Sequence, residues 1–227
     1  MKKRDKGGSY YPVFLNIGGK RCVVVGGGQV ALRKTRALLE YGADVTVISP
    51  DLCPELCQLA ESEEVHIFSR EYQSGDLEDA FVVIAATNDD DINRRVAEEA
   101  DRNAVLVNVV DDARNSQFIL PSYLRRGDIT VAVSTAGQSP ALARKIRVRL
   151  EKDLGDEYAA LAEVTGEVRA EAKRQGIQTD GDHWQEVLDL DSLLELLRRG
   201  EREMAKVLLL TNLKKQPERL SGRSDAD

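Results

Sequence analysis

The chain has 227 residues, 42% hydrophobic and 31% charged, with a formal net charge of −7. That length allows one large or two small domains with a real core, and the composition excludes a disordered or fibrous chain. The acidic balance argues against a surface built for nucleic acid, and no apolar run approaches the roughly 20 residues a membrane helix needs. The opening Met1-Lys2-Lys3-Arg4-Asp5-Lys6 leads into Gly7-Gly8-Ser9-Tyr10 without an apolar core, so no secretory signal is expected. There are three cysteines, an odd number, and Cys53 and Cys57 lack the second pair a zinc site needs. No metal ligand set is expected, and a reducing cytoplasm is the expected location.

In chain order, residues 13–17 read as a short strand ended by Gly18-Gly19. Residues 21–25 are a β-branched strand running straight into Gly26-Gly27-Gly28, and 31–41 form an amphipathic helix stopped by Gly42. Strands follow at 45–48, 65–68, 81–85 and 105–110, with helices at 54–60 and 90–101 between them. Continuous apolar strands alternating with helices predict a doubly wound, parallel α/β sheet of Rossmann type. After residue 111 the pattern changes. Residues 118–121 and 129–133 read as strands joined at Gly127-Asp128, and Ser139-Pro140 opens a helix to about residue 154 with Ser at N-cap and Pro at N1. Residues 156–213 are helical in character with a break near 176–182, and the polar stretch 216–227 is expected to lack fixed structure. The expected division is therefore 1–113, a nucleotide-binding domain; 114–150, a small α+β segment; 151–215, a helical domain; and a tail.

Ligands bind such sheets beyond the carboxyl ends of the strands. The first strand ends in Gly26-Gly27-Gly28-Gln29-Val30-Ala31, a G-x-G-x-x-A between strand and helix. Gly26 permits the tight turn, Gly28 the close approach of a pyrophosphate, and Gln29 and Val30 lie at a helix N-terminus that offers free N–H groups. The second strand ends in Ser49-Pro50-Asp51, where Asp51, or Ser49 with backbone, can hold a ribose; no arginine stands there for a 2′-phosphate, which favours NAD over NADP. The fourth ends in Ala86-Thr87, small enough for a cofactor to lie against, and Asp89-Asp90-Asp91 reads as a helix cap rather than a metal site. The fifth passes Asn108 and ends in Asp111-Asp112, one a candidate general base, the other able to cap a turn. His66, His183, Cys53 and Cys57 read as structural.

Charge is unevenly placed. Residues 151–227 carry 12 basic and 18 acidic side chains, whereas 114–149 hold seven basic residues against the single acid Asp128, a local +6. That segment is either a solvated face or an anion site.

The stretches 11–16 (Tyr-Pro-Val-Phe-Leu-Asn), 24–34 (Val-Val-Gly-Gly-Gly-Gln-Val-Ala-Leu-Arg-Lys), 45–50, 85–89 (Ala-Ala-Thr-Asn-Asp), 107–111 (Val-Asn-Val-Val-Asp) and 134–144 (Ser-Thr-Ala-Gly-Gln-Ser-Pro-Ala-Leu-Ala-Arg) together resemble the precorrin-2 dehydrogenases, the NAD-dependent modules of siroheme synthases, over about residues 10–155. The resemblance implies oxidation of precorrin-2 to sirohydrochlorin, with ferrous iron insertion added in some members. It also implies an intertwined homodimer through 114–150 and a helical C-terminal domain. The family's aspartate falls on Asp111. Substrate carboxylates are expected at Arg114, Ser134, Thr135, Gly137, Ser139 and Arg144, the polycarboxylate substrate giving the basic segment a purpose. The residue that some fused members phosphorylate aligns with Thr135. Against this stands a non-catalytic NAD-sensing Rossmann module, which accounts for the glycine turn but for neither Asp111 nor the basic segment.

Overall fold

A computed structural model describes residues 10–215. The chain divides into two compact units, residues 1–120 and 121–227. In the first, β1 (Arg21–Val25), β2 (Asp44–Ile48), β3 (His66–Phe68), β4 (Val82–Ala85) and β5 (Leu106–Val109) form one sheet in the order β3-β2-β1-β4-β5. Every pairing in it is parallel, with Val24 opposite Val47 on one side and Ile84 on the other. The order reverses between β1 and β4, so the crevice for a ligand lies beyond Val25 and Ala85.

Both faces of this sheet are covered, which is why its strands are apolar throughout rather than alternating. Cys22 and Val24 point to one face, packed with Ala31, Leu32 and Leu38 of α1 (Gln29–Glu40) and Leu56 of α2 (Pro54–Glu61). Val23 and Val25 point to the other, with Val96, Ala97 and Ala100 of α3 (Asp90–Arg102). Ala31, the last position of the glycine motif, is fully buried, so α1 can sit close against β1.

Two expected strands are absent. Residues 13–17 make no ladder, and Val13 and Phe14 are 58% and 77% exposed. The turn at Gly18-Gly19 feeds the chain directly into β1, whose two sides are already taken by β2 and β4. Residues 118–121 are not a strand either. The hairpin starts one step later, pairing β6 (Ser122–Arg126) with β7 (Ile129–Val133) from Arg126↔Ile129 out to Ser122↔Val133. Pairing ends where β7 ends, and Pro121 has no N–H to extend it. Phe118 instead packs on the α1 face of the first unit's core.

The second unit holds this hairpin, α4 (Pro140–Asp153), α5 (Glu157–Arg174), α6 (Gly181–Val187), α7 (Leu190–Arg198) and α8 (Arg202–Lys214). Leu161, Val164, Val168, Leu193, Leu197, Leu209 and Leu213 form the core of the last four helices. Asp180 and Asp189 cap α6 and α7 through the amides of His183 and Ser192, restarting the chain after the break at Gly176. His183 is buried, with Nε2 bonded to the Leu213 carbonyl, and His66 lies 3.6 Å from Asp44 at the surface. The three cysteines are free. Among the described residues no helix is long and apolar enough to cross a membrane, and no cluster of three or more metal-ligating side chains is present. The tail 216–227 lies outside the described residues.

Candidate dinucleotide site and its carboxylate

The three glycines leaving β1 have three separate tasks. Gly26 has φ +125°, and a Cβ there would meet the Ala86 carbonyl oxygen at 2.4 Å. The backbone leaving β1 therefore runs hard against the backbone leaving β4. Gly27 is gripped on the other side: a Cβ would lie 1.9 Å from the Asp51 carbonyl oxygen, and the Gly27 carbonyl accepts the Cys53 amide at 2.8 Å. Gly28 is different, because a Cβ there would meet nothing within 4 Å. Its backbone (φ −84°, ψ −173°) is one any residue adopts, so no steric or conformational demand of the protein requires glycine. Open space at that point is what an approaching pyrophosphate requires.

Helix α1 starts at this turn without a side-chain cap and without an acid in its first turn. Helices α2, α5 and α8 also lack a side-chain cap but carry an acid in the first turn, and the remaining described helices are capped by a side chain. So α1 alone among the described helices has neither cap nor acid. Asp89 caps α3 through the amides of Asp91 and Ile92, followed by acids at 90 and 91; Ser139 caps α4 through Leu142. The first amides of α1, including Gln29 and Val30, are left for an anion. The side chain of Gln29 turns to Glu55, holding that carboxyl below its ordinary range together with a backbone bond at Glu55 itself.

Around the turn, Ser49 is nearly buried and donates its hydroxyl to the Asp51 carbonyl at 2.7 Å. It braces the 49–53 loop against Gly27, while Pro50 and the Asp51 carboxylate face solvent. Thr87 donates to Asn93 Oδ1 at 2.8 Å, and Asn93 Nδ2 returns a bond to the Thr87 carbonyl. Asn93 was not foreseen. It sits on the buried stripe of α3 with Val96, Ala97 and Ala100, and an amide at an apolar position is the signal that marks it. Asn108, also expected at the cofactor, gives Nδ2 to the Phe118 carbonyl at 3.0 Å and so ties residues 117–118 to β5.

The two adjacent carboxylates are told apart by their bonds. Asp112 accepts from the amides of Arg114 and Asn115 and from Asn115 Nδ2 at 2.6 Å; these bonds hold it below the ordinary carboxylate range. Ser116 closes the same turn, donating to the Asp112 carbonyl and accepting the Val109 amide. Asp111 is exposed, lies in the left-handed region at φ +59°, and has no hydrogen bond among the described residues. Asp112 is the turn's cap, and Asp111 is the carboxylate left available.

In the second unit, residues 134–139 form a tight loop at the start of α4. Ser134 Oγ accepts the Ala136 amide, Thr135 Oγ1 the Ser139 amide, and Ser139 Oγ the Leu142 amide. Each oxygen is occupied from within, and each hydroxyl proton stays available to an outside acceptor. Ala136 and Gly137 are left-handed, at φ +51° and +82°. The local +6 is smaller than the sequence suggests, since Arg126 lies 3.9 Å from Glu151 and 3.6 Å from Asp156, and Arg147 pairs with Glu151. Those acids fall just past the stretch that was summed. Arg144 on α4, and Arg114 in the first unit, are exposed without an ion pair among the described residues.

Residues 13–122 match a family of NAD(P)-binding domains, and residues 126–152 match the central segment of sirohaem-biosynthesis proteins. The siroheme synthase of Chromobacterium violaceum is 39% identical over 199 residues, 87% of this chain and 42% of that protein. That of Photorhabdus laumondii is 42% identical over 166 residues, 73% of this chain and 35% of that protein. The chain thus spans about two fifths of the length of such relatives. Among solved structures, SirC, a precorrin-2 dehydrogenase, superimposes with a TM-score of 0.68 at 25% identity, covering 91% of this chain and all of SirC. A Rossmann sheet, an antiparallel hairpin and a helical C-terminal part, in that order and with those matches, make the chain similar to the siroheme synthases and to the precorrin-2 dehydrogenase SirC.

Proposed function

We propose that this chain oxidises precorrin-2 to sirohydrochlorin with NAD, an early step in making siroheme. The observation that carries the reading is one unpartnered carboxylate, Asp111, standing at the same strand ends as an uncapped glycine-turn helix. The residues fit a dinucleotide: α1 has open amides and no acid at its start, and the space outside Gly28 is clear. Gly26, Gly28, Gln29 and Val30 would hold the pyrophosphate, with Ser49, Pro50 and Asp51 toward the ribose and Ala86, Thr87 and Asn108 along the strand ends. Bound there, NAD supplies the two-electron acceptor that dehydrogenation needs.

Oxidation also releases a proton from the macrocycle. Asp111, without a competing donor among the described residues, takes it as general base. Braced by Asp112, Asn115 and Ser116, the turn presents that carboxylate without having to reorganise. Within the second unit, the three available hydroxyl protons of Ser134, Thr135 and Ser139, the open backbone at Gly137, the charge of Arg144 and the positive end of α4 suit the carboxylates of such a substrate.

The partner we infer is a second copy of the chain. In α4 the single buried residue is Ala143, while Leu142, Ile146 and Val148 are 50%, 39% and 41% exposed. A 14-residue helix holding so little core is a candidate for burial against another subunit. Free cysteines suit the cytoplasm.

The test is direct. Purified protein given precorrin-2 and NAD under anaerobic conditions should form sirohydrochlorin and NADH in equal amounts, and the same reaction with ferrous iron, as a second substrate, reads whether siroheme follows. Binding of NAD without turnover would favour the sensing module instead.

A further inference from the structure

We propose that Asn93 is a positioning residue for the nicotinamide half of NAD: from α3 it fixes residue 87, and with it the backbone wall this half lies against. The proposal rests on the reading that NAD binds at these strand ends. In a doubly wound sheet the pyrophosphate sits at the first glycine turn, with the two nucleoside halves to either side. The adenosine half falls over the end of β2, at Ser49 to Asp51, so the nicotinamide half falls over β4 and β5. The wall there is Ala86-Thr87. The β1–β4 ladder carries on to the Ala86 amide, which donates to the Val25 carbonyl at 2.8 Å, and a Cβ on Gly26 would lie 3.3 Å from the Thr87 nitrogen. Past that point Asn93 takes the place of a neighbouring strand. Its Oδ1 accepts the Thr87 amide at 3.4 Å and the Thr87 hydroxyl at 2.8 Å, and its Nδ2 donates to the Thr87 carbonyl at 3.1 Å.

Burying an amide costs free energy unless its groups are bonded, and a leucine would pack on this stripe of α3 without that cost. Asn93 is 7% exposed beside Val96, Ala97 and Ala100, and its side-chain bonds among the described residues all go to Thr87. What the amide supplies is therefore the placement of that one residue. Glu99, the other buried polar side chain of α3, holds the amides of Gly75 and Leu77, which come before β4. One helix thus fixes the chain on both sides of β4, and Asn93 serves the carboxyl end, where ligands bind. The loop is closed by further bonds: Thr87 Oγ1 accepts the Asp89 amide at 3.1 Å, and the Asn93 amide donates to the Asp89 carbonyl at 3.0 Å. Each polar atom of residue 87 is bonded within the first unit, so its methyl is the group left for a ligand. A wall already fixed in this way costs nothing to order when the cofactor arrives.

The test compares two ligands on the protein alone: NAD, and ADP-ribose, which is NAD without its nicotinamide. Asn93→Leu keeps the volume and removes all three bonds; Asn93→Ala serves if the leucine variant does not fold. Calorimetric titration should show NAD affinity falling at least tenfold, toward that of ADP-ribose, with ADP-ribose affinity held near wild type. Glu99→Gln is the control: it loosens the same helix at the other end of the strand and should lower the melting temperature while the ratio of the two affinities stays fixed. In turnover, the KM for NAD should rise and the KM for precorrin-2 should hold. Equal losses for both ligands in the Asn93 variants, or a ratio that moves as far in Glu99→Gln, would overturn the proposal in favour of general support of the fold. A wild type that binds the two ligands equally would also overturn it, since no nicotinamide contact would exist to be set. A ratio that changes as expected in a protein that never oxidises precorrin-2 would support the positioning and overturn the dehydrogenase reading instead.

Discussion

Adjacent residues of one type, Asp111 and Asp112, have different surroundings and should have different phenotypes. Asp111→Asn removes the proton acceptor and is expected to lower turnover by about 10² to 10⁴, with NAD affinity nearly unchanged. Asp112→Ala removes three accepted bonds from a surface turn, which costs about 1 to 3 kcal/mol of stability and lowers turnover by less than tenfold. Steady-state kinetics with NAD titrations separate the two, and comparable turnover losses would mean that the pair acts as a unit. The sequence made a carboxylate at this strand end conspicuous, and resemblance pointed to 111, but the bonds that distinguish the pair come from Asn115 and Ser116 beyond the motif. Asn93 and Asn108 were hard to read for the same reason: their partners, the Thr87 and Phe118 carbonyls, are backbone groups that no side-chain pattern announces.

At the scale of the element, the glycine turn separates fold from function. Gly27→Ala places a methyl into the Asp51 backbone, which cannot yield as a side-chain end could, so it should destabilise the first unit by about 1 to 3 kcal/mol or more. Gly28→Asp enters open space and should fold normally. Its charge stands where the pyrophosphate approaches, so NAD affinity should fall at least tenfold, about 1.4 kcal/mol. Thermal unfolding and calorimetric NAD titration of the two variants give the contrast; equal melting temperatures for both would contradict it. The central strands were legible because burial on both faces writes an unbroken β-branched run, and α1 and α3 because their apolar stripes repeat at helical spacing. Residues 13–17 and 118–121 carry similar apolar runs and form no strand. A run states that burial is favourable, whereas a strand also needs a free edge, and β1 has none.

For the whole molecule, the first unit contains a complete core and the second exposes an apolar helix face. Sedimentation at micromolar concentration is expected to give a dimer of two 25.1 kDa chains, and Leu142→Glu with Ile146→Glu should shift it toward monomer. A monomeric wild type at that concentration would remove the case for a partner on α4. The helical character of residues 156–213 and its break near 176–182 could be read along the chain, since helices are local, whereas the Asp180 and Asp189 caps that restart it were not read. The true charge of the basic segment could not, because Arg126 finds Glu151 and Asp156 through the fold rather than along the chain.

The backbone at Asp111 limits what selection can try there. A left-handed residue with a Cβ is strained by about 1 to 2 kcal/mol, and asparagine, aspartate and glycine bear that conformation best. In a saturation library, valine and isoleucine at 111 would be lost through the turn itself, whatever the chemistry. Asparagine and glycine keep the turn, so their fate alone reports on the carboxylate. Even glutamate, which retains the charge, meets the backbone penalty that aspartate tolerates. The position has few routes away from aspartate that leave the loop intact, so drift there should be slow even in a copy of the chain released from its enzymatic duty.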